Sequence, residues 1–326
     1  MKHNKHLTYN DRVVIQKMIY RDEKISEIAK LLEKTYFTIW RELKRNKTKA
    51  YNAREAHFKY LNRRKNRIVK IEKNKDLFLY ILEKLLFYWS PEQISNSLEY
   101  EFPYNKEMQV SHETIYLWLY KQKEKGIELY KLLRRTHKKR QKRQNKYNYR
   151  CKIEGKKSIH ERSEAGNSKI EFGHWEGDLI ESKGKDAFIL TLVERKTGYT
   201  LSSKMENKKS VTCYRAISEA FGEIPNEMIK SITFDNGTEF YEFKSMEDLF
   251  ETNIYFADPY CSWQRGLNEN TNGLLRQYLP KKKSFKGLTE KSLQAIVNLL
   301  NKRPRKRLGF INPYEAVKIE LFAVQT

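Results

Sequence analysis

Apolar positions in the front part of the chain recur at helical spacing. Thr8 can cap a helix running to about Tyr20, with Asp11 in its first turn. Ile25, Ile28, Ala29 and Leu32 then follow the i, i+3, i+4, i+7 rhythm of one buried helical face, and small Ala29 permits a close crossing by another helix. Thr35 can cap a third helix that turns Ile39 and Leu43 inward and Tyr36, Thr38, Arg41, Lys44 and Arg45 outward. The segment after it reads as a basic connection leading into a helix with Leu77, Ile81 and Leu85 apolar. Ser90-Pro91-Glu92-Gln93 joins an N-cap, a proline at the first helical position and a capping-box glutamine, and Ile94 and Leu98 continue that helix. Ser111 opens another, with Ile115, Trp118 and Leu119 on one face and His112, Glu113 and Tyr116 elsewhere.

Beyond residue 167 the rhythm changes. Phe172–Glu181, Ala187–Arg195 and Tyr199–Met205 read as successive strands joined by Lys183-Gly184 and Lys196-Thr197-Gly198 turns. A helix at Lys209–Phe221, a strand at Ile229–Phe234, a helix at Ser245–Thr252 and a strand at Ile254–Ala257 follow, and two helices near Asn268–Leu279 and Thr289–Asn301 close the pattern. Five strands with interleaved helices predict a mixed sheet covered on both faces.

Charge sharpens this division. Residues 1–150 hold 37 Lys and Arg against 17 Asp and Glu, while the remainder holds 28 against 24. So lopsided a distribution reads as an electrostatic footprint for nucleic acid, bound through counterion release. A helix, a short turn and a polar, basic helix is the helix-turn-helix plan, whose second helix enters the major groove; Tyr36, Thr38, Arg41 and Arg45 become candidate DNA contacts, although a plain helical bundle shares the pattern. The pair around Ser90 and Ser111 can form a second such module, with His112 facing DNA. Residues 134–150 carry nine Lys or Arg and no acid, which suits an extended connector that tracks phosphates and equally a nuclear localisation signal. Three scattered cysteines, Cys151, Cys213 and Cys261, suggest neither a disulfide framework nor a zinc site and fit a reducing cytoplasm. No apolar run approaches the ~18 residues needed to span a bilayer, so no membrane partner is expected.

Three acids carry the chemistry. Alternation along the first strand puts Asp178 on one face with His174 and Glu176. Asp235 directly follows a strand, where open α/β sheets place ligands, and Asn236-Gly237 permits a sharp turn beside it. Glu269 lies in the first turn of its helix, on one face with Asn272, Gly273 and Arg276. Remote carboxylates gathered at strand ends suit hard divalent cations, and two such ions can promote phosphodiester cleavage. Tyr260, Ser262, Trp263 and Gln264 suit a loop against DNA or a plain exposed loop.

With His174–Ile180, Phe234–Phe240, Gly266–Pro280 and Arg303-Pro304-Arg305 through Asn312-Pro313-Tyr314-Glu315 in place, the sequence resembles the DDE transposases of bacterial insertion sequences, the IS-thirty group of the retroviral-integrase-like superfamily. The resemblance runs over nearly the whole chain and includes 33 residues between Asp235 and Glu269. It implies a multidomain protein: an all-α helix-turn-helix DNA-binding region (1–47), a helical region with a possible second helix-turn-helix (48–133), a basic linker (134–166) and an α/β ribonuclease-H-like, integrase-type catalytic core with a mixed five-stranded sheet (167–326). It further implies that Asp178, Asp235 and Glu269 bind Mg²⁺, with Mn²⁺ able to substitute. The expected activity is strand cleavage and transfer on double-stranded DNA, at terminal inverted repeats and a target, by a homo-oligomer. Arg276 is expected to hold a DNA phosphate. A transcriptional regulator with a dead core would lack one of the acids, and none is missing; a ribonuclease-H-type nuclease would not need DNA-reading modules in front.

Overall fold

The structure, a computed structural model, describes residues 6–46, 50–134 and 153–324. Most of the basic run expected at 134–150 therefore lies outside the described residues.

Helices α1 (Tyr9–Tyr20), α2 (Ile25–Leu31) and α3 (Tyr36–Arg45) form the N-terminal module around Leu7, Ile15, Ile28, Ala29 and Ile39. Thr8 and Asp11 make a reciprocal capping box at the start of α1. One ion pair crosses this small core: Arg12 Nε lies 2.7 Å from Glu42 Oε1, with both side chains buried. Arg12 also donates to the Leu7 carbonyl at 2.6 Å and sits 4.6 Å from the Tyr60 ring centre.

The stretch expected as a basic connection is instead mostly a long helix, α4 (Ala53–Lys73), capped by Asn52 and packed on α1. Helices α5 (Lys75–Leu86), α6 (Pro91–Glu101) and α7 (His112–Glu124) follow. The capping box at Ser90 and Gln93 is present, and Leu77, Ile81, Leu85, Ile94, Leu98, Ile115, Trp118 and Leu119 share one core.

The second half is built on strands β1 (Lys157–Ser158), β2 (His174–Glu181), β3 (Phe188–Glu194), β4 (Thr200–Met205), β5 (Ser231–Phe234) and β6 (Asn253–Phe256). Interleaved with them are α8 (Glu164–Ser168), α9 (Ser210–Phe221) and α10 (Phe243–Phe250), and α11 (Gly266–Tyr278), α12 (Glu290–Asn301) and α13 (Pro313–Val324) close the described chain. The sheet order is β1-β6-β5-β2-β3-β4. The β2–β3–β4 meander is antiparallel, whereas β5 runs parallel to β2 and β6 parallel to β5. That mixed topology, three meandering strands extended by parallel crossovers, is the ribonuclease-H-like plan. Alternation on β3 divides the two faces: Phe188, Leu190 and Leu192 pack with α9 and α10, while Ile189 packs with α11 and α12.

In this half of the chain three further expectations change. The sheet has six strands rather than five, because Lys157–Ser158 adds a parallel edge strand to β6. The described residues 153–166, expected as part of a linker, already belong to the core: Ile153 and Ile159 are buried, and Arg162 Nη1 donates to Thr233 Oγ1 at 3.1 Å. A further helix, α13, follows the expected last one; Asn312 and Glu315 cap it by reciprocal bonds of 2.9 and 3.3 Å.

Candidate active site

The register of β2 on β5 pairs Glu176 with Thr233, and carried two residues further it brings Asp178 level with Asp235. A glycine is required between Glu176 and Asp178, since a Cβ on Gly177 would stand 2.2 Å from the Phe234 ring. Phe234 is itself stacked on Phe240 with ring centres 4.0 Å apart. After Asp235 the chain turns: Asp235 Oδ1 accepts from Gly237 N at 3.0 Å, and Asn236 Nδ2 donates to the Ala257 carbonyl at 2.6 Å.

Two carboxylates this close repel unless a cation lies between them. Arg265 supplies one. Its Nη1 lies 3.3 Å from Asp178 Oδ1 and its Nη2 3.3 Å from Asp235 Oδ2, while Nη1 also donates to the Gly177 carbonyl at 2.8 Å. The other oxygen of Asp178, Oδ2, accepts from Asn272 Nδ2 at 2.8 Å. Burial pushes the Asp178 carboxyl above its ordinary range, Arg265 opposes that shift and Asp235 adds to it. Glu239, in the turn after Asp235, is pushed up as well, by burial first and then by the neighbouring Asp235.

Helix α11 carries Glu269 and is fixed to the sheet on either side of it. Asn268 is fully buried; its N–H donates to Glu176 Oε2 at 2.9 Å and its Nδ2 to the Glu176 carbonyl at 2.8 Å. Thr191 Oγ1 on β3 lies 3.1 Å from Asn268 Oδ1 and 3.0 Å from Asn272 Oδ1, so its one hydroxyl proton is shared between the two amide oxygens. Glu269 therefore sits on a helix whose rotation is set by Asn268 and Asn272. Among the described residues no three His, Cys, Asp or Glu side chains converge closely enough to hold a metal ion. The structure brings Asp178 and Asp235 together and leaves Glu269 outside that pair. The donor set nevertheless fits a hard divalent cation: the two aspartates offer carboxylate oxygens on side chains 28 % and 29 % exposed, and a positive group already lies between them.

The other sequence candidates divide. Glu176 is fully buried and ion-paired with Arg195, so it braces Asn268 rather than facing the acids' open side. His174 is buried between Ser231 Oγ at 2.7 Å and Glu171 Oε2 at 3.0 Å. Arg276 is turned back onto the fold: Nη2 donates to the Glu181 carbonyl at 2.9 Å and the guanidinium lies over Phe285. Its position on the Glu269 face is as expected, but its long side chain reaches a strand end instead of the acids. Gln264 exchanges hydrogen bonds of 2.7 and 2.8 Å with Asp258, which steadies the loop, and Trp263 projects from it 71 % exposed. Asn272 lies on the Glu269 face as the spacing predicts, whereas nothing in the sequence pattern singles out Arg265 or Glu239 as site groups.

On α3, Tyr36, Arg41 and Arg45 are exposed, and Thr38 is half-buried. Thr38, Arg41 and Arg45 line a cleft of about 550 Å³ that Glu113 and Leu117 of α7 also line. His112 is exposed at the first position of α7. Phe37 and Trp40, also exposed on α3, had drawn no attention in the sequence; Lys44 lies over the Trp40 ring at 4.6 Å. Arg134 reaches the core, donating to Asn270 Oδ1 at 2.8 Å, one residue from Glu269.

Residues 3–46 match the family model described as "Helix-turn-helix domain". The chain is 38% identical over 325 residues to the transposase InsI for insertion sequence element IS30A of Escherichia coli, covering 96% of this chain and 83% of that one. It is 36% identical over 318 residues to the transposase for insertion sequence element IS4351 of Bacteroides fragilis, covering 97% and 96%. A third relative, the transposase for insertion sequence element IS1086 of Cupriavidus metallidurans, is 33% identical over 313 residues, covering 94% and 92%. Among solved structures, the catalytic core domain of BIV integrase matches 48% of this chain and 100% of its own at 18% identity and a TM-score of 0.39; strand order, not that superposition, carries the fold assignment.

Proposed function

Because the chain belongs to the family of insertion-sequence transposases that includes those of IS30A, IS4351 and IS1086, we propose that it binds the terminal inverted repeats of an insertion sequence and cuts and joins DNA strands there, with Asp178, Asp235 and Glu269 as its catalytic carboxylates. The observation that carries this reading is the strand register that sets Asp178 beside Asp235 under one guanidinium, with the helix of Glu269 bonded to the same strand.

The three acids would hold divalent ions, Mg²⁺ with Mn²⁺ able to substitute. When bound, such ions supply positive charge that activates the attacking oxygen and steadies the departing 3′-oxygen. The chain's own part is positioning. Asn272 fixes the orientation of Asp178, the Gly237 N–H fixes Asp235, and Asn268 sets the turn of α11 that presents Glu269. The basic residues of α3 and the exposed His112 at the start of α7 engage double-stranded DNA, and copies of the chain assemble on the two element ends.

The test is the purified protein with Mg²⁺ and a supercoiled plasmid bearing the element's ends. Cleavage at the ends is expected with Mg²⁺ or Mn²⁺. Asp178→Asn and Asp235→Asn should bind the ends normally in a gel shift and leave them uncut, because an amide removes the ligand charge and leaves every residue of the DNA-reading helices in place. End binding without cleavage by the unmodified chain would make it a regulator, and near-normal cleavage by either variant would remove that aspartate from the site.

A further inference from the structure

Arg265 is in an unusual position for an arginine. Its side chain is 9 % exposed, and it spans the two aspartates that the preceding reading makes metal ligands. The outer oxygens of these acids have other partners: Asn272 Nδ2 for Asp178 Oδ2 and the Gly237 N–H for Asp235 Oδ1. The guanidinium takes the remaining oxygen of each. Both contacts measure 3.3 Å, longer than the ~2.7–2.9 Å of strong charge-assisted bonds, whereas the bond to the Gly177 carbonyl is 2.8 Å. The Nε of Arg265 is buried without a hydrogen-bond partner. The arginine is thus anchored on backbone and loosely held by the carboxylates.

We propose that Arg265 is a placeholder cation: it keeps Asp178 and Asp235 together before divalent ions arrive, competes with those ions for the two facing oxygens, and yields to them. The inference rests on the reading of these aspartates as metal ligands. A divalent ion brings more charge to the same oxygens, while without any cation the paired carboxylates repel across a partly buried gap. Arg265 ends the short helical turn Ser262–Arg265 and directly precedes α11, so its release bears on the exposed Trp263 turn and on the helix of Glu269. DNA pressing on that turn would then favour ion entry.

The experiment is a Mn²⁺ titration of the full chain without DNA, with free Mn²⁺ followed by electron paramagnetic resonance and melting temperature measured alongside. Arg265→Gln retains a donor toward the Gly177 carbonyl and loses the charge. It should melt lower than the unmodified chain without metal, bind Mn²⁺ with a several-fold lower Kd, and regain most of the lost melting temperature at saturation. Equal or weaker Mn²⁺ binding by a folded Arg265→Gln overturns the proposal and makes Arg265 a support for the bound ions. Should that variant fail to fold, Arg265→Lys takes its place, since one ammonium cannot span both carboxylates and keep the Gly177 bond; it too must bind Mn²⁺ more tightly than the unmodified chain. Asp235→Asn separates the two levels. If it binds Mn²⁺ as the unmodified chain does, the metal-ligand reading fails, whatever Arg265 does.

Discussion

On α3, Arg41 and Arg45 are exposed on a helix whose Ile39 and Glu42 are buried, whereas at the centre of the sheet Asp178 and Asp235 have each carboxylate oxygen engaged by a neighbour. One region holds the frame and leaves its working side chains free. The other holds the working side chains themselves. A surface that follows a flexible duplex gains from long, solvated cations that settle on contact, while a site for phosphoryl chemistry needs charges positioned beforehand, because reorganisation during the reaction raises the barrier. The two regions should therefore fail differently when edited.

The largest effect is expected from the frame of the reading module. Glu42→Ala leaves Arg12 buried without its carboxylate, a loss of about 3–5 kcal/mol for a broken buried pair, which a three-helix module cannot absorb. Hydrogen exchange should show α1–α3 losing protection while β2, β3 and β5 keep theirs. Uniform loss across both regions would mean that they fold as one unit. A smaller effect is expected from the working side chains of the same module. Arg41→Ala should leave the melting profile unchanged and lower the preference for terminal-repeat over random duplex by about 1–3 kcal/mol, measured as a ratio of affinities at fixed salt. An equal loss on both sequences would make Arg41 a phosphate contact.

The contrast between regions also governs what the sequence revealed. Helix caps and periodic faces depend on neighbours in the chain, and Thr8, Ser90 and the Ile25–Leu32 spacing placed α1, α6 and α2 within a few residues of where they lie. The five longer strands were legible for the same reason. The edge strand Lys157–Ser158 was not, because two polar residues carry no alternation and only the free edge of β6 makes them a strand. Helix α13 was missed although Asn312 and Glu315 form a capping box three residues apart, a local signal left unread. Glu42 and Arg265 lie beyond such reading. Each is a charged residue buried by a partner remote in sequence, Arg12 in one case and Asp178 with Asp235 in the other, and composition assigns both to the surface. Arg276 shows the converse: its helical face was right, but the direction of a long side chain depends on the carbonyl it finds, here that of Glu181.

Glu269 shares its helix with two asparagines bonded to the site but stands outside the aspartate pair. The direct measurement is single-turnover strand cleavage by Glu269→Gln at saturating terminal-repeat DNA and Mg²⁺, with end binding followed in the same samples. Unchanged binding and a rate lowered at least about a hundredfold are expected, as removing positioned charge worth several kcal/mol requires. Cleavage near the unmodified rate would contradict the claim that the three acids act as one site.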